Sequence, residues 1–286
     1  PSVLAAVDND LAHTVFSYIP NTAQAAYWGM IKELEEGHNR QKAAQIAALG
    51  PGASPEGIER ILAQRVRTEQ VIHKDTSLRT FITADVSRDD MAAHVYDITY
   101  GTVHADADNL VCIDDSIVRG TTLKRSILKI LSRLRPRRIV IVSSAPQIRY
   151  PDCYGIDMSQ IGRFIAFQAA IALLKATGRA GVIAETHQRI LALAEGGGLE
   201  SENAVKAIYA PFTEDELSAQ IAAELTTPDL GCEVRIVYQP VANLGRAIPH
   251  HTGAWYFTGD YPTPGGNRVV NQAFLNYMEG NTGRAY

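Results

Sequence analysis

The chain has 286 residues, 46% of them hydrophobic and 20% charged, with a formal charge of −4, a balance that fits a water-soluble protein with one large α/β domain or a domain with an appended lobe. A mildly acidic chain lacks the broad positive footprint that nucleic acid needs, so an anionic ligand has to be held by local amides and cations. No apolar run is long enough for a membrane helix and no secretory leader is visible, while three widely spaced cysteines, Cys112, Cys153 and Cys232, make no disulfide framework and fit a reducing cytoplasm.

In chain order, alanines, leucines and isoleucines recur at helical spacing from Ala23 to Glu35 and from Pro55 to Thr68. The breaker-rich stretch Gly50 to Pro55 separates them, which predicts a helical hairpin. Gln70 to His73 reads as a short strand and Asp75 to Arg88 as loop. Leu110 to Ile113 is a short apolar run bounded by turn residues, as a buried parallel strand requires. Leu123 to Leu134 follows as a helix, with Leu123, Ile127, Ile130, Leu131 and Leu134 on one face. Arg138 to Ser143 is a further buried strand, and strand-helix-strand order implies a parallel sheet with helices on its faces. From Gln160 to Glu224 the chain is alanine-rich and helical, broken by Gly196 to Gly198. Cys232 to Gln239 returns to strand character, and Tyr261 to Tyr286, rich in Gly, Asn and Pro, reads as extended chain.

The most informative stretch is Asn109 to Thr122, N-L-V-C-I-D-D-S-I-V-R-G-T-T. An isolated acid pair is an ordinary loop end, and an isolated Gly-Thr-Thr an ordinary helix cap. Here they come in a working order. Asp114 and Asp115 end a buried strand, where α/β sheets keep their ligands, and can grip sugar hydroxyls or a hydrated Mg²⁺. The turn that follows points backbone N–H groups of Arg119 to Thr122, two hydroxyls and a helix N-terminus at one place, which suits a phosphate. Together they predict a pocket for a phosphorylated sugar.

This string resembles the phosphoribosylpyrophosphate (PRPP) signature of the type I phosphoribosyltransferases, in the form found in the glutamine PRPP amidotransferase (amidophosphoribosyltransferase) family. Ser144 to Met158 is similar to the family's next strand and loop. Tyr18-Ile19-Pro20-Asn21-Thr22 looks like its pyrophosphate loop, with Asn21 in place of an acid. Arg79-Thr80-Phe81-Ile82 matches the mobile loop that folds over PRPP, and Gly253 to Thr263 resembles the C-terminal segment. The likeness is clear for Val15 to Ala26, Arg79 to Asp157 and Val234 to Thr263. The mobile loop departs from the pattern: the family's ammonia-gating tyrosine falls on Thr76, and its basic cluster is replaced by Ser87-Arg88-Asp89-Asp90.

The resemblance implies an α/β fold with a type I phosphoribosyltransferase-like parallel sheet, helices on both faces and an inserted helical lobe. The expected organisation is a core of residues 1–158 and 232–263, a helical insertion of 159–231 and an extended tail of 264–286. It also implies transfer of ammonia to C1 of PRPP with release of pyrophosphate, forming 5-phosphoribosylamine in purine synthesis. The residues carried over as catalytic are Arg79, Asp114 and Asp115. Substrate binding falls on Asn21, Thr22, Lys74, Asp114, Asp115, Ser116, Val118, Arg119, Gly120, Thr121 and Thr122, and Mg²⁺ binding on Thr22, Asp114 and Asp115. No iron-sulfur cluster is expected, because the cysteines that would partner Cys153 fall on Gly253 and Tyr256. Cys112 reads as core. Arg149 and Asp157 read as braces of the site or as a structural ion pair, and His250-His251 as loop.

The expected partners are PRPP, ammonia or glutamine, and further copies of the chain as a homo-oligomer, with neither nucleic acid nor membrane. A chain beginning at Pro1 reads as a trimmed product or fragment without the family's N-terminal glutaminase domain. Two other functions stay open: a PRPP-binding regulatory or inactive module, which Asn21 and the altered loop suggest, and a nucleobase phosphoribosyltransferase, against which the S-I-V-R string argues.

Overall fold

The computed structural model describes residues 1–20, 22–74, 96–152, 158–250 and 253–285. Among these the strands are β1 (Thr14–Tyr18), β2 (Arg67–Thr68), β3 (Ile72–Lys74), β4 (Tyr96–Ile98), β5 (Asn109–Asp114), β6 (Arg138–Ser143) and β7 (Glu233–Tyr238). Five form one sheet in the order β2-β1-β5-β6-β7, while β3 and β4 pair as an antiparallel ribbon. Chain contacts divide the protein into two compact units, Pro1–Asp115 with Thr122–Ser144 and Thr227–Val237, and Ser116–Thr121 with Ala145–Thr226 and Tyr238–Tyr286.

The first unit is the expected α/β sheet. β2, β1, β5 and β6 run parallel, and the register sets Tyr18 beside Ile113 and Asp114 beside Ser143, so their carboxyl ends finish nearly level. β6 is buried along its length and β5 up to its last residue, which explains apolar runs with no polar alternation. Phe16, Val111, Ile113, Val140 and Val142 pack with Ala6 and with Tyr27 and Ile31 of the helix Gln24–Leu49. The period of two turns Leu110, Cys112, Ile139 and Ile141 to the opposite face, all fully buried; Leu128 and Leu131 of the helix Leu128–Ser132 are fully buried as well. Each such side chain contributes about 1.5–3 kcal/mol by leaving water.

At the amino ends of the strands, polar ties set the edge. Arg138 donates to Asp8 (2.9 Å), Glu233 (2.6 Å) and the Ala6 carbonyl (2.9 Å). Asp108, fully buried, accepts from Arg67 at 2.8 Å and from the His104 N–H at 2.7 Å.

The helical hairpin is present with shifted bounds. Its first helix runs on to Leu49, beyond Glu35, because the Ala, Glu, Gln and Lys that follow are strong helix formers even where little is buried. It stops at Gly50, whose φ of 70° suits glycine. Ser54 then caps the helix Pro55–Leu62, its hydroxyl accepting from the Gly57 N–H at 3.1 Å. The predicted helix to Thr68 ends early because Arg67 and Thr68 are recruited to pair with β1.

The second unit is helical, with Ile165–Ala176, Gly181–Glu195, Lys206–Tyr209, Glu214–Leu225 and Pro264–Glu279 around Phe164, Phe167, Leu174, Ile190, Ile208 and Phe274. Thr213 and Glu216 form a reciprocal capping box at the start of Glu214–Leu225.

The expected extended tail is instead helical over Pro264–Glu279. Pro264–Glu279 is a helix of 16 residues that starts with Pro264, where the missing N–H costs nothing, and ends at Gly280 with φ 68°. Its stripe of Val269, Val270, Ala273 and Phe274 is buried in the unit's core. Asn271, a loop-former by composition, is fully buried and donates to the Leu199 and Glu202 carbonyls at 2.8 Å each, so it ties the helix down. Packing overrides composition here.

Candidate functional site

The first unit gathers its polar chemistry at the carboxyl edge of the sheet. The Ile19 N–H donates to the Ile113 carbonyl at 2.8 Å, carrying the β1–β5 pairing one residue past the end of β1 before Pro20 turns the chain away. That brings Thr22 to β5, and its hydroxyl donates to Asp115 Oδ2 at 2.6 Å. The acid pair is braced from behind. The Ser144 N–H donates to the Asp114 carbonyl at 2.9 Å, the Ser144 hydroxyl to the Asp115 carbonyl at 3.1 Å, and the Asp115 N–H to Asp114 Oδ1 at 2.9 Å.

The β3–β4 ribbon supplies the next wall. The Val71 N–H donates to Ser17 Oγ at 3.0 Å, hanging the ribbon on β1, and the antiparallel register sets Lys74 directly across from Tyr96. The Lys74 ammonium lies 5.8 Å from the centre of the Tyr96 ring. Ile19, Pro20, Thr22, Lys74, Tyr96, Asp114, Asp115 and Thr122, with the apolar Leu123 and Ile127, line a cavity of about 320 Å³. All of these residues belong to the first unit.

The electrostatics follow from crowding. Burial, and then the Asp115 carboxylate beside it, push the Asp114 carboxyl up to about 7. Burial and the same two acids raise the Tyr96 phenol above its ordinary value. A pocket that makes ionisation this costly favours a cationic guest, and paired carboxylates with a hydroxyl are hard oxygen donors of the kind Mg²⁺ takes. Among the described residues no group of three or more His, Cys, Asp or Glu is set to hold a metal by itself.

Of the residues singled out in the sequence, Thr22, Lys74, Asp114, Asp115 and Thr122 come together at this cavity. Ser116, Val118, Arg119, Gly120 and Thr121 pack with the second unit. There the Val118 carbonyl accepts from the Ile165 N–H at 2.8 Å. Gly120 has φ 68°, and a Cβ on it would meet Leu225 Cδ2 at 2.9 Å. Asn21, Arg79, Cys153, Asp157 and His251 lie outside the described residues. Cys112 is fully buried, and burial lifts its thiol far above the ordinary value. Arg149 donates through Nε (3.1 Å) and Nη2 (2.7 Å) to Gln147 Oε1 and stacks over Tyr209, both within the second unit.

Sequence reasoning did not single out Tyr96, nor that the predicted helix opens as a π-helix over Leu123–Ile127 before the α-helical turns begin. π-helical turns cluster at functional sites. No local pattern marks either feature: Tyr96 meets Lys74 only through ribbon pairing across residues 75–95.

No family model matches the chain. A segment of 59 residues is 44% identical to the amidophosphoribosyltransferase of Pasteurella multocida, covering 21% of this chain and 12% of that protein. The chain carries a segment similar to amidophosphoribosyltransferases. The Escherichia coli amidophosphoribosyltransferase is 41% identical over 58 residues, covering 20% of this chain and 11% of its own length. These matches therefore span about an eighth of the curated relatives. Two solved structures overlap 87% of the chain at 19% identity. One is an allosteric regulatory enzyme of purine biosynthesis, with a TM-score of 0.41 and 37% of its own chain covered. The other is the glutamine PRPP amidotransferase of B. subtilis complexed with ADP and GMP, with a TM-score of 0.42 and 38% covered.

Proposed function

We propose that this chain is the phosphoribosyltransferase part of an amidophosphoribosyltransferase, replacing the pyrophosphate on C1 of PRPP with ammonia. The observation that carries this reading is the convergence of Thr22, Lys74, Asp114 and Asp115 on one cavity, with Thr22 hydrogen-bonded to Asp115 at 2.6 Å. A C1 centre losing pyrophosphate gains positive charge while the leaving group gathers negative charge, so the protein's tasks are positioning and charge compensation. The C1–O bond breaks with its electron pair leaving on pyrophosphate, a C1–N bond forms from the ammonia lone pair, and the resulting C1-ammonium gives its proton to water. Neutral ammonia needs no base to make it nucleophilic.

In this reading Asp114 and Asp115 accept from the ribose hydroxyls, Lys74 faces the anionic phosphoryl oxygens, and the amides and hydroxyls of Ser116 to Thr122 hold the 5-phosphate. Arg79 is the cation of the covering loop. Thr22, Asp114 and Asp115 hold Mg²⁺, which supplies neutralisation of the leaving pyrophosphate when bound. Glutamine as the ammonia source, assembly into a homo-oligomer and a cytoplasmic setting belong to the same proposal. So does the division into a phosphoribosyltransferase core with a helical insertion.

The test is an acceptor panel: pyrophosphate release from PRPP with Mg²⁺ and, in turn, ammonium, glutamine, adenine, hypoxanthine, uracil and orotate. Release with ammonium alone supports the proposal. Release only with a nucleobase overturns it in favour of a nucleobase transferase, and PRPP binding without release with any acceptor overturns it in favour of a regulatory module.

A further inference from the structure

Tyr96 lies outside every motif that carries the proposed function, yet it lines the same cavity as the acid pair. Its position is fixed by the ribbon pairing. Tyr96 is the first residue of β4, Lys74 the last of β3, and the two are direct cross-strand partners, with Ile72 opposite Ile98 and His73 opposite Asp97 behind them. The inner end of the ribbon is anchored in the core, where Ile72 is 1% and Ile98 7% exposed. Directly opposed residues on one ribbon face sit close enough for long side chains to interact throughout. Here that interaction is the Lys74 ammonium over the Tyr96 ring, 5.8 Å from its centre.

A lysine on four rotatable carbons loses about 2 kcal/mol of rotamer freedom when a ligand fixes it. With two carboxylates lining the same cavity it also has a competing seat, an ion pair that would withdraw it from an incoming anion. An aromatic face offers a third seat that holds the cation without neutralising it.

We infer that Tyr96 is the positioning residue for Lys74, its ring seating the ammonium at the cavity wall so that the cation is in place before an anionic sugar phosphate arrives. The inference rests on the proposed reading for the identity of the ligand, but the Lys74–Tyr96 pair stands independently of it. A tyrosine phenol is neutral at physiological pH, so the ring keeps the face that receives the cation. The hydroxyl is not needed for this role, so phenylalanine should replace tyrosine and leucine should not.

The experiment has two arms on the intact chain. In the first, NMR of lysine-labelled protein reads the Lys74 ε-methylene protons. They are expected upfield by ring current in the wild type and in Tyr96→Phe, and at ordinary shifts in Tyr96→Leu. An unshifted wild type, or an identical Tyr96→Leu spectrum, overturns the inference. In the second arm, calorimetric titration with PRPP and Mg²⁺ is expected to give a Kd about three- to fivefold weaker for Tyr96→Leu and within twofold of wild type for Tyr96→Phe. No further loss is expected when Tyr96→Leu is added to Lys74→Met. Equal weakening by phenylalanine and leucine, or a full leucine effect without Lys74, overturns the inference. Failure of the wild type to bind PRPP, with the ring-current shift intact, overturns the proposed function instead.

Discussion

Replacing Gly120 with alanine perturbs the turn after the acid pair in two separable ways. The residue has φ 68°, and an alanine held in that region costs about 1–2 kcal/mol in backbone sterics. The added Cβ would also stand 2.9 Å from Leu225 Cδ2, closer than real contacts allow, and Leu225 is only 1% exposed, so its methyl must shift inside a packed interior. Such overpacking adds about 1–2 kcal/mol, for a total of about 2–4 kcal/mol. Gly178 is the control. It has φ 72° with no atom within 4 Å of its Cβ position, so Gly178→Ala isolates the backbone cost at about 1–2 kcal/mol. Scanning calorimetry on the two variants should show Gly120→Ala melting lower by several degrees, at about 2–4 °C per kcal/mol. PRPP affinity should fall in Gly120→Ala alone. If Gly120→Ala were no less stable than Gly178→Ala, the tight packing assigned to this turn would be wrong.

Two further substitutions test the supporting structure. Burial by itself would raise the Asp108 carboxyl, but Arg67 and the His104 N–H outweigh it and hold it below the ordinary carboxylate value. A depressed carboxyl stabilises the fold above its unfolded pKa and loses that contribution as pH falls through the folded one. Asp108→Asn should therefore cost about 2–4 kcal/mol by urea denaturation at pH 7, and less below about pH 4; a pH-independent difference contradicts this. Phe274, fully buried and edge-on to Phe167 with ring centres 6.1 Å apart, should cost about 3–5 kcal/mol on truncation to alanine. A loss under about 1 kcal/mol would mean that the helix Pro264–Glu279 is not part of the second unit's core.

The parts of the fold legible in the sequence are those whose cause is local. Leu110 to Ile113 and Arg138 to Ser143 are short apolar runs between turn residues, and both are buried central strands. The breaker-rich stretch Gly50 to Pro55 marks the helix start at Pro55, where Ser54 caps the helix. The acid pair at the strand tip was legible for the same reason, because strand, acids and helix start are contiguous.

Features created by distant partners were not legible. Arg67 and Thr68 become a strand only because β1 has an open edge, and Asn271 is helical because carbonyls at Leu199 and Glu202 receive its amide. Tyr96 joins the site through a register that no spacing encodes. The π-helical turn at Leu123–Ile127 has an ordinary helical sequence, with Leu123 and Ile127 facing the cavity.

The role proposed for Asp115, held by Thr22 just past the end of β5, is one without which PRPP is not turned over. It is tested most directly by pyrophosphate release from PRPP with ammonium and Mg²⁺, comparing the wild type with Asp115→Ala at matched thermal stability. The expected result is turnover in the wild type and a loss on the order of 100-fold or more in the variant. A variant within twofold of wild type would contradict the assignment of this site.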